Sequence, residues 1–233
     1  MTLNSNSEPI IPKHEPAIFL PPVITFFAAV CLGLYLLQSY VLQDQANQLV
    51  TVYGAFIPLR YSIDGPAFDL AFLTTPITYS FLHASFAHVA INMIWLAAFG
   101  APLAQRIGSL RFVLFWFATS IGAAALHYVL HMTSAAPLVG ASGAISGMMG
   151  AAARFAFKTD GQDGPRAFAG RPLSVYQAMT NRTVLTFVTV WMVVNLISGL
   201  GFLMSTDGSS GIAWEAHIGG FAVGYLCLRF FDR

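Results

Sequence analysis

Charged side chains are scarce in this chain of 233 residues. Asp, Glu, Lys and Arg make up 9% of the sequence, whereas about a quarter of the residues of a soluble domain are charged. Hydrophobic residues account for 56%, and the mean hydropathy is +0.67. The formal net charge of +1 gives no argument for nucleic acid or for an acidic partner. This composition excludes an ordinary soluble domain and predicts a polytopic membrane protein.

Cysteine is also rare. The two cysteines, Cys31 and Cys227, both fall in apolar runs and form no CxxC motif. They provide no disulfide framework and no obvious metal-binding pattern, so we interpret both as buried thiols.

Six long apolar runs dominate the rest of the sequence, in one domain over residues 17–233 that follows a polar tail at 1–16. A membrane-spanning helix needs about 20 residues, and the fourth run is short for a span, so its serine end is expected below the membrane surface. We therefore predict an all-α bundle of six transmembrane helices with a flexible N-terminal tail. The runs are 17–41, 78–104, 112–131, 142–157, 183–204 and 214–231.

The basic residues predict the orientation of this bundle. Arg60 is the only Lys or Arg in the first, third and fifth connecting loops. Cytoplasmic loops are enriched in Lys and Arg, so we predict that both termini are cytoplasmic and that the odd-numbered loops lie outside. The remaining basic residues are Lys13, Arg106, Arg111, Arg154, Lys158, Arg166, Arg171, Arg182, Arg229 and Arg233.

Polar residues inside apolar helices are functional candidates. His83, His88 and Asn92 lie in the first half of the predicted second helix, Ser142 opens the fourth, and His217 lies just inside the sixth. All three helices enter from the predicted outer side. The topology therefore predicts that these residues meet at one depth, near the outer face.

Such a set suits nucleophilic attack on a carbonyl. A serine needs a base, and His217 is the plausible base at that depth. The oxyanion formed by the attack needs hydrogen-bond donors, which His88, Asn92 and the Ser142 backbone N–H would supply. Glycines in the fourth and sixth runs would let these two helices approach closely. The sequence thus favours a Ser–His site over a serine used for packing.

Three motifs carry a resemblance to a known family. The Gly-Ala-Ser-Gly run at 140–143 resembles the GxSG motif of rhomboid intramembrane serine proteases. His83, His88 and Asn92 have the spacing of their second-helix signature. The run at 216–224, Ala-His-Ile-Gly-Gly-Phe-Ala-Val-Gly, is similar to their AHxxGxxxG motif. All three occur in the family's order.

The resemblance implies roles for single residues. Ser142 would be the nucleophile and His217 the general base of a catalytic dyad, while His88 and Asn92 would line the oxyanion hole. It also implies that the first loop, 43–77, lies partly in the outer leaflet and that the fifth loop, 205–212, forms a mobile cap. Supporting residues would be His83, Gly140 and Gly143.

The function so implied is an intramembrane serine endopeptidase that cuts single-span membrane proteins near the outer face. The six-helix form resembles a bacterial plasma-membrane member with its active site open to the periplasmic side. Membrane lipids would be its other partners; no cofactor, metal or nucleic acid is expected. Two alternatives remain open, a non-catalytic rhomboid-like membrane chaperone and a small transporter that uses its outer histidines.

Other polar residues have simpler interpretations. His127 and His131 are four residues apart, a spacing that can bind a metal, but we favour interfacial histidines because no HExxH pattern follows. Glu215 is two residues from His217, about 200° away around a helix, and is not expected to join the dyad.

The sequence departs from the family pattern at two places. Ser146 stands where some family members have a tyrosine against the catalytic histidine, and residues 74–75 are Thr-Thr where many have Trp-Arg.

Overall fold

A computed structural model describes residues 20–62, 68–156, 159–160, 166–168, 170–199 and 213–232. The predicted tail at 1–16 and the predicted cap at 205–212 lie outside this part of the chain. The ten α-helices of the described residues are α1 (Pro22–Leu36), α2 (Asp44–Gly54), α3 (Leu70–Thr78), α4 (Phe86–Trp95), α5 (Ala101–Ile107), α6 (Ser109–Leu130), α7 (Ser142–Arg154), α8 (Val175–Thr180), α9 (Arg182–Gly199) and α10 (Trp214–Cys227). A π-helical turn at Leu37–Val41 continues α1, and another at Leu96–Gly100 joins α4 to α5.

Extended structure is minor in the described ranges. Two strands of two residues each, β1 (Thr159–Asp160) and β2 (Arg166–Ala167), pair antiparallel, and a single bridge joins Phe56 to Leu138. Short 3₁₀ turns cover Pro58–Tyr61, Tyr79–Phe81 and Leu228–Phe230. The predicted all-α class is confirmed.

Four helical segments are long and apolar enough to cross a membrane, namely Pro22–Val41, Phe86–Ile107, Ser109–Leu130 and Arg182–Gly199. The other two predicted spans correspond to α7, with 13 residues, and α10, with 14. Both are shorter than the roughly 20 residues that a full span needs. The count of six spans therefore stays a prediction.

The second predicted span is wrong at its beginning. It was expected to run without a break from residue 78, with His83 inside it, but the chain leaves a 3₁₀ turn at Phe81 and α4 begins only at Phe86. The Ser85 hydroxyl accepts a hydrogen bond from the His88 backbone N–H, 3.2 Å away, which is the usual role of a serine at a helix N-cap. His83 therefore lies in the turn before the helix.

Helix α7 occupies the centre of the bundle. Every residue from Gly143 to Arg154 is buried, mostly against α6 and α10. The contact with α10 is backbone against backbone, because a Cβ added to Gly220 would overlap the Gly143 carbonyl and one added to Gly224 would overlap the Gly147 carbonyl. Small residues permit this approach, and it brings the N-terminal ends of α7 and α10 together.

Tyr61 anchors the first loop, in which residues 74–75 are Thr-Thr. Its hydroxyl donates to the Phe72 carbonyl at 2.8 Å and lies 2.7 Å from the Thr75 hydroxyl. The Tyr128 hydroxyl of α6 donates to the Tyr61 carbonyl at 3.0 Å. Helix α2 of the same loop has no buried residue, and its interfacial placement stays a prediction.

Arg154 is a buried member of the basic residues used to predict orientation. Its guanidinium donates to the Leu173 carbonyl at 2.8 Å and to the Tyr225 carbonyl at 2.6 Å. This arginine joins the ends of α7 and α10 and is 1% exposed. The predicted orientation therefore depends on the other basic residues.

Candidate functional site

Ser142 and His217 meet where α7 and α10 begin. The Ser142 Oγ lies 2.8 Å from the His217 Nε2, within hydrogen-bond distance. Both residues are half-buried, and the glycine contacts along α7 and α10 hold their helices together. The structure thus brings together the two residues predicted to be nucleophile and base.

Asn195 of α9 holds the other side of the His217 ring. The Asn195 side-chain N–H donates to the Trp214 carbonyl at 2.9 Å, which turns its Oδ1 toward the imidazole. That oxygen lies 2.5 Å from the His217 Nδ1. Because an amide oxygen only accepts, Nδ1 must carry the proton and Nε2 is left as an acceptor facing Ser142. Asn195 therefore fixes the tautomer that a general base requires.

His88 and Asn92 lie on one face of α4, against the residue that opens the GxSG run. Gly140 has φ +122°, and a Cβ there would lie 2.7 Å from the His88 ring and 3.7 Å from the Asn92 Nδ2. The Asn92 Nδ2 is buried and has no hydrogen-bond partner among the described residues. A buried donor of this kind is costly unless something accepts from it. This donor faces Gly140, two residues before Ser142.

His83 supports the backbone that leads into Ser142. Its Nδ1 donates to the Phe81 carbonyl at 3.2 Å, and its Nε2 lies 3.5 Å from the Ala141 N–H. The ring also contacts His88 edge to face, with centroids 5.1 Å apart. His83 thus contacts the rim of the site from a turn and not from the helix predicted for it.

Gly143 lies one residue after Ser142, at the crossing of α7 with two other elements. A Cβ at this position would lie 2.7 Å from the Ala123 Cβ of α6 and 3.0 Å from the Tyr79 hydroxyl. The Tyr79 hydroxyl in turn donates to the Ser120 carbonyl at 2.9 Å. Gly143 and Gly140 therefore make room around the serine, which is the supporting role predicted for them.

The family model of the Rhomboid domain matches residues 72–231, more than half of the chain. The chain belongs to the rhomboid family. The matched segment begins in α3 and contains every residue of the Ser142–His217 site described above. Together with its apolar helices, this membership identifies the protein as an integral membrane protein.

Individual rhomboids align over about two thirds of the chain. Rhomboid protease GluP of Bacillus subtilis (strain 168) is 33% identical over 159 residues, which are 66% of this chain and 24% of GluP. Rhomboid protease GlpG of Enterobacter sp. (strain 638) is 27% identical over 155 residues, 66% of this chain and 47% of GlpG. RHOMBOID-like protein 4 of Arabidopsis thaliana is 27% identical over 150 residues, 64% of this chain and 32% of that protein. The chain thus spans less than half the length of each of these relatives.

Sequence reasoning missed Asn195 in this rhomboid. The signal was present, because Asn195 is a lone amide in the apolar helix α9, and polar residues in such helices are functional candidates. What the sequence did not give was the rotation of α9, which decides that Asn195 is buried toward His217. The answer to what orients His217 without a tyrosine at position 146 is therefore found on a different helix.

Glu215 lies on the far side of α10 from the Ser142–His217 site, as its position in the helix predicted. Its Oε1 lies 2.7 Å from the His127 Nδ1 and 3.1 Å from the His131 Nε2. The three side chains form a separate cluster, which the prediction of two interfacial histidines does not include. Ser146 is buried one turn below Ser142.

Proposed function

We propose that this rhomboid is an intramembrane serine endopeptidase in which Ser142 and His217 form the catalytic dyad. The observation that carries the proposal is the 2.8 Å distance between the Ser142 Oγ and the His217 Nε2. A serine hydroxyl is a weak nucleophile unless a base takes its proton in the transition state. Here the hydroxyl is in contact with the His217 Nε2, which is the unprotonated ring nitrogen when Nδ1 donates to Asn195.

The reaction follows from this geometry. The Ser142 Oγ bonds to the carbonyl carbon of the scissile peptide while its proton passes to the His217 Nε2. His217 then gives that proton to the leaving amine as the C–N bond breaks. Water, activated by the same nitrogen, hydrolyses the acyl-enzyme and restores Ser142. Asn195 accepts from the Nδ1–H throughout and keeps the imidazole in one orientation.

The developing negative charge needs donors that are already in position. We assign this role to the Asn92 amide, His88 and the Ser142 backbone N–H. The unpartnered Asn92 Nδ2 supports the assignment. The Ser142 backbone N–H belongs to the first turn of α7, where N–H groups have no partner within the helix and the dipole favours a negative charge.

We further propose that substrates are single-span membrane proteins cut near the outer face of a bacterial plasma membrane. The start of α7 follows the loop that is predicted to lie outside, and water must reach Ser142 to complete hydrolysis. A peptide bond within a helix is shielded by its neighbouring turns, so preferred sites should contain small or helix-breaking residues.

A serine-directed fluorophosphonate probe tests the proposal on the purified protein in detergent. We expect the unaltered chain to be labelled at Ser142 and the Ser142→Ala variant not to be labelled. Ser146→Ala is the matched control, since it removes a buried hydroxyl of the same helix that has no base assigned to it. Equal labelling of the Ser142→Ala variant would contradict the assignment.

A second prediction concerns Asn92. We expect Asn92→Ala to lower kcat by about 10²–10³-fold, because one oxyanion donor contributes about that much. KM should change little, since the contact forms only when charge develops on the substrate oxygen. Steady-state cleavage of a transmembrane substrate measures both constants. A raised KM with an unchanged kcat would instead assign Asn92 to substrate binding.

The alternatives are a non-catalytic rhomboid-like chaperone and a small histidine-containing transporter. Neither requires a serine in contact with a neutral imidazole, whereas the protease does. Labelling of Ser142 by the probe, together with cleavage that Ser142→Ala removes, would favour the protease over both.

A further inference from the structure

A second group of chemically capable side chains lies on the opposite side of α10 from the dyad. His127 and His131 are at the C-terminal end of α6, and Glu215 is in the first turn of α10. The Glu215 carboxylate oxygen lies 2.7 Å from the His127 Nδ1 and 3.1 Å from the His131 Nε2. The three ligand atoms all lie within 4.8 Å of one another.

The helices preorganise this arrangement. Residues four apart share one face of a helix, and the two imidazole rings lie with their centroids 4.9 Å apart. The third side chain comes from a helix that packs closely on α6, because a Cβ at Gly219 would lie 2.5 Å from the Gly122 carbonyl oxygen. The ligand atoms are therefore held by two packed helices.

The chemistry of the set matches a divalent transition metal. Two imidazole nitrogens and one carboxylate oxygen form a recurring ligand set for zinc, in which a water occupies the fourth position. The Glu215 and His127 side chains are 4% and 11% exposed, but the His131 side chain is 46% exposed. The cluster is thus buried on one side and open on the other, where a metal ion and its water can enter.

The charge of the cluster points the same way. Glu215 is buried in the described fold, and an isolated buried carboxylate is strongly disfavoured. Besides the Glu215 backbone N–H, its partners among the described residues are two imidazoles, which carry no charge when neutral. A bound divalent cation would balance the carboxylate and take both histidines in their neutral form, which is the form that binds metal.

We propose that His127, His131 and Glu215 form a zinc-binding site that joins the end of α6 to the first turn of α10. The site is distinct from the Ser142–His217 dyad and does not depend on the proposed protease activity. Glu215 lies two residues before His217 in the chain. A bound metal would therefore restrain the first turn of α10, which carries the proposed base. The proposal departs from the sequence-based expectation of no metal.

The experiment measures zinc on the full chain, purified in detergent without a polyhistidine tag. The protein is stripped with a chelator, equilibrated with micromolar zinc chloride, freed of unbound metal, and analysed for zinc per chain. We expect about one zinc per chain for the unaltered protein. We expect its loss in His131→Ala, where the side chain is largely exposed, and in Glu215→Gln, which keeps the size of the side chain but not its charge.

The control variant is His14→Ala, which removes a histidine from the N-terminal tail and should retain the zinc. Thermal unfolding gives a second readout, because a ligand that binds only the folded state raises Tm. Zinc should raise the Tm of the unaltered protein and of His14→Ala but not that of His131→Ala. Failure of the unaltered protein to retain zinc, or equal retention by His131→Ala and Glu215→Gln, would show a hydrogen-bonded cluster without a metal and overturn the proposal.

Discussion

Replacing His217 by alanine is expected to lower the rate of peptide-bond cleavage by roughly 10⁴–10⁶-fold. Removal of the base from a serine protease has an effect of this size, because the nucleophile can no longer lose its proton as it attacks. The expected result follows from the 2.8 Å contact with Ser142. Cleavage of a transmembrane substrate in detergent or in liposomes measures it.

Asn195 should act only through this histidine. Its hydrogen bond fixes the ring and the tautomer, but a neutral amide cannot stabilise the imidazolium as a carboxylate does. We therefore expect Asn195→Ala to lower kcat by about 10–10³-fold. In the double variant with His217→Ala, the loss of Asn195 should cause no further decrease, since residues that act as a unit are not additive.

Asn181 provides the matched control for this pair of variants. It lies at the start of the same helix, where its Oδ1 accepts from the Val184 N–H at 3.1 Å. Asn181→Ala should lower the stability of α9 by about 1 kcal/mol and leave kcat nearly unchanged. If Asn195→Ala slowed the His217→Ala variant by the same factor as the unaltered protein, Asn195 would act through the fold of α9 and not through His217.

Residues whose role depends on the order of the helices were predictable from the sequence. Ser142, His217, His88 and Asn92 all lie near the starts of helices that enter from the same predicted side. Alternation of direction along the chain is enough to place such residues at one depth. The three motifs then implied their roles, and the structure brings these side chains to a common site.

Residues whose role depends on helix rotation or on local breaks were not predictable in this way. Asn195 and Glu215 each contact a histidine on a different helix, and no spacing along one helix indicates such a contact. The turn that contains His83 is not predicted because residues 82–85 are not all polar, although a 3₁₀ turn at Tyr79–Phe81 and the Ser85 N-cap separate α3 from α4. The spacing of apolar residues indicates that a segment is helical, but it does not indicate at which residue the helix begins.

The second large effect should come from the glycines between α7 and α10. Gly224→Ala is expected to destabilise the protein by about 3 kcal/mol or more, because the added Cβ would overlap the Gly147 carbonyl oxygen. A backbone atom cannot rotate away as a side chain can, so the two helices must separate. Thermal unfolding in detergent should show a Tm lower by roughly 6–12 °C.

Gly33→Ala is the matched control, since Gly33 also lies in a helix but has no atom within 4 Å of an added Cβ. Alanine there should leave Tm unchanged or stabilise the protein by at most about 1 kcal/mol, because it is the better helix former. The two variants carry the same chemical change, so their difference isolates the close contact. Equal Tm values would show that α10 can move without loss of stability.

The same substitution should also lower activity at temperatures where the variant is still folded. Ser142 and His217 lie on the two helices that the added Cβ forces apart, and a displacement of about 1 Å can reduce a rate by roughly 10²-fold. Probe labelling of Gly224→Ala should therefore be slow well below its Tm, while Gly33→Ala is labelled at the normal rate. Normal labelling of a folded Gly224→Ala variant would show that the serine and the histidine are held together by contacts other than the glycines of α7 and α10.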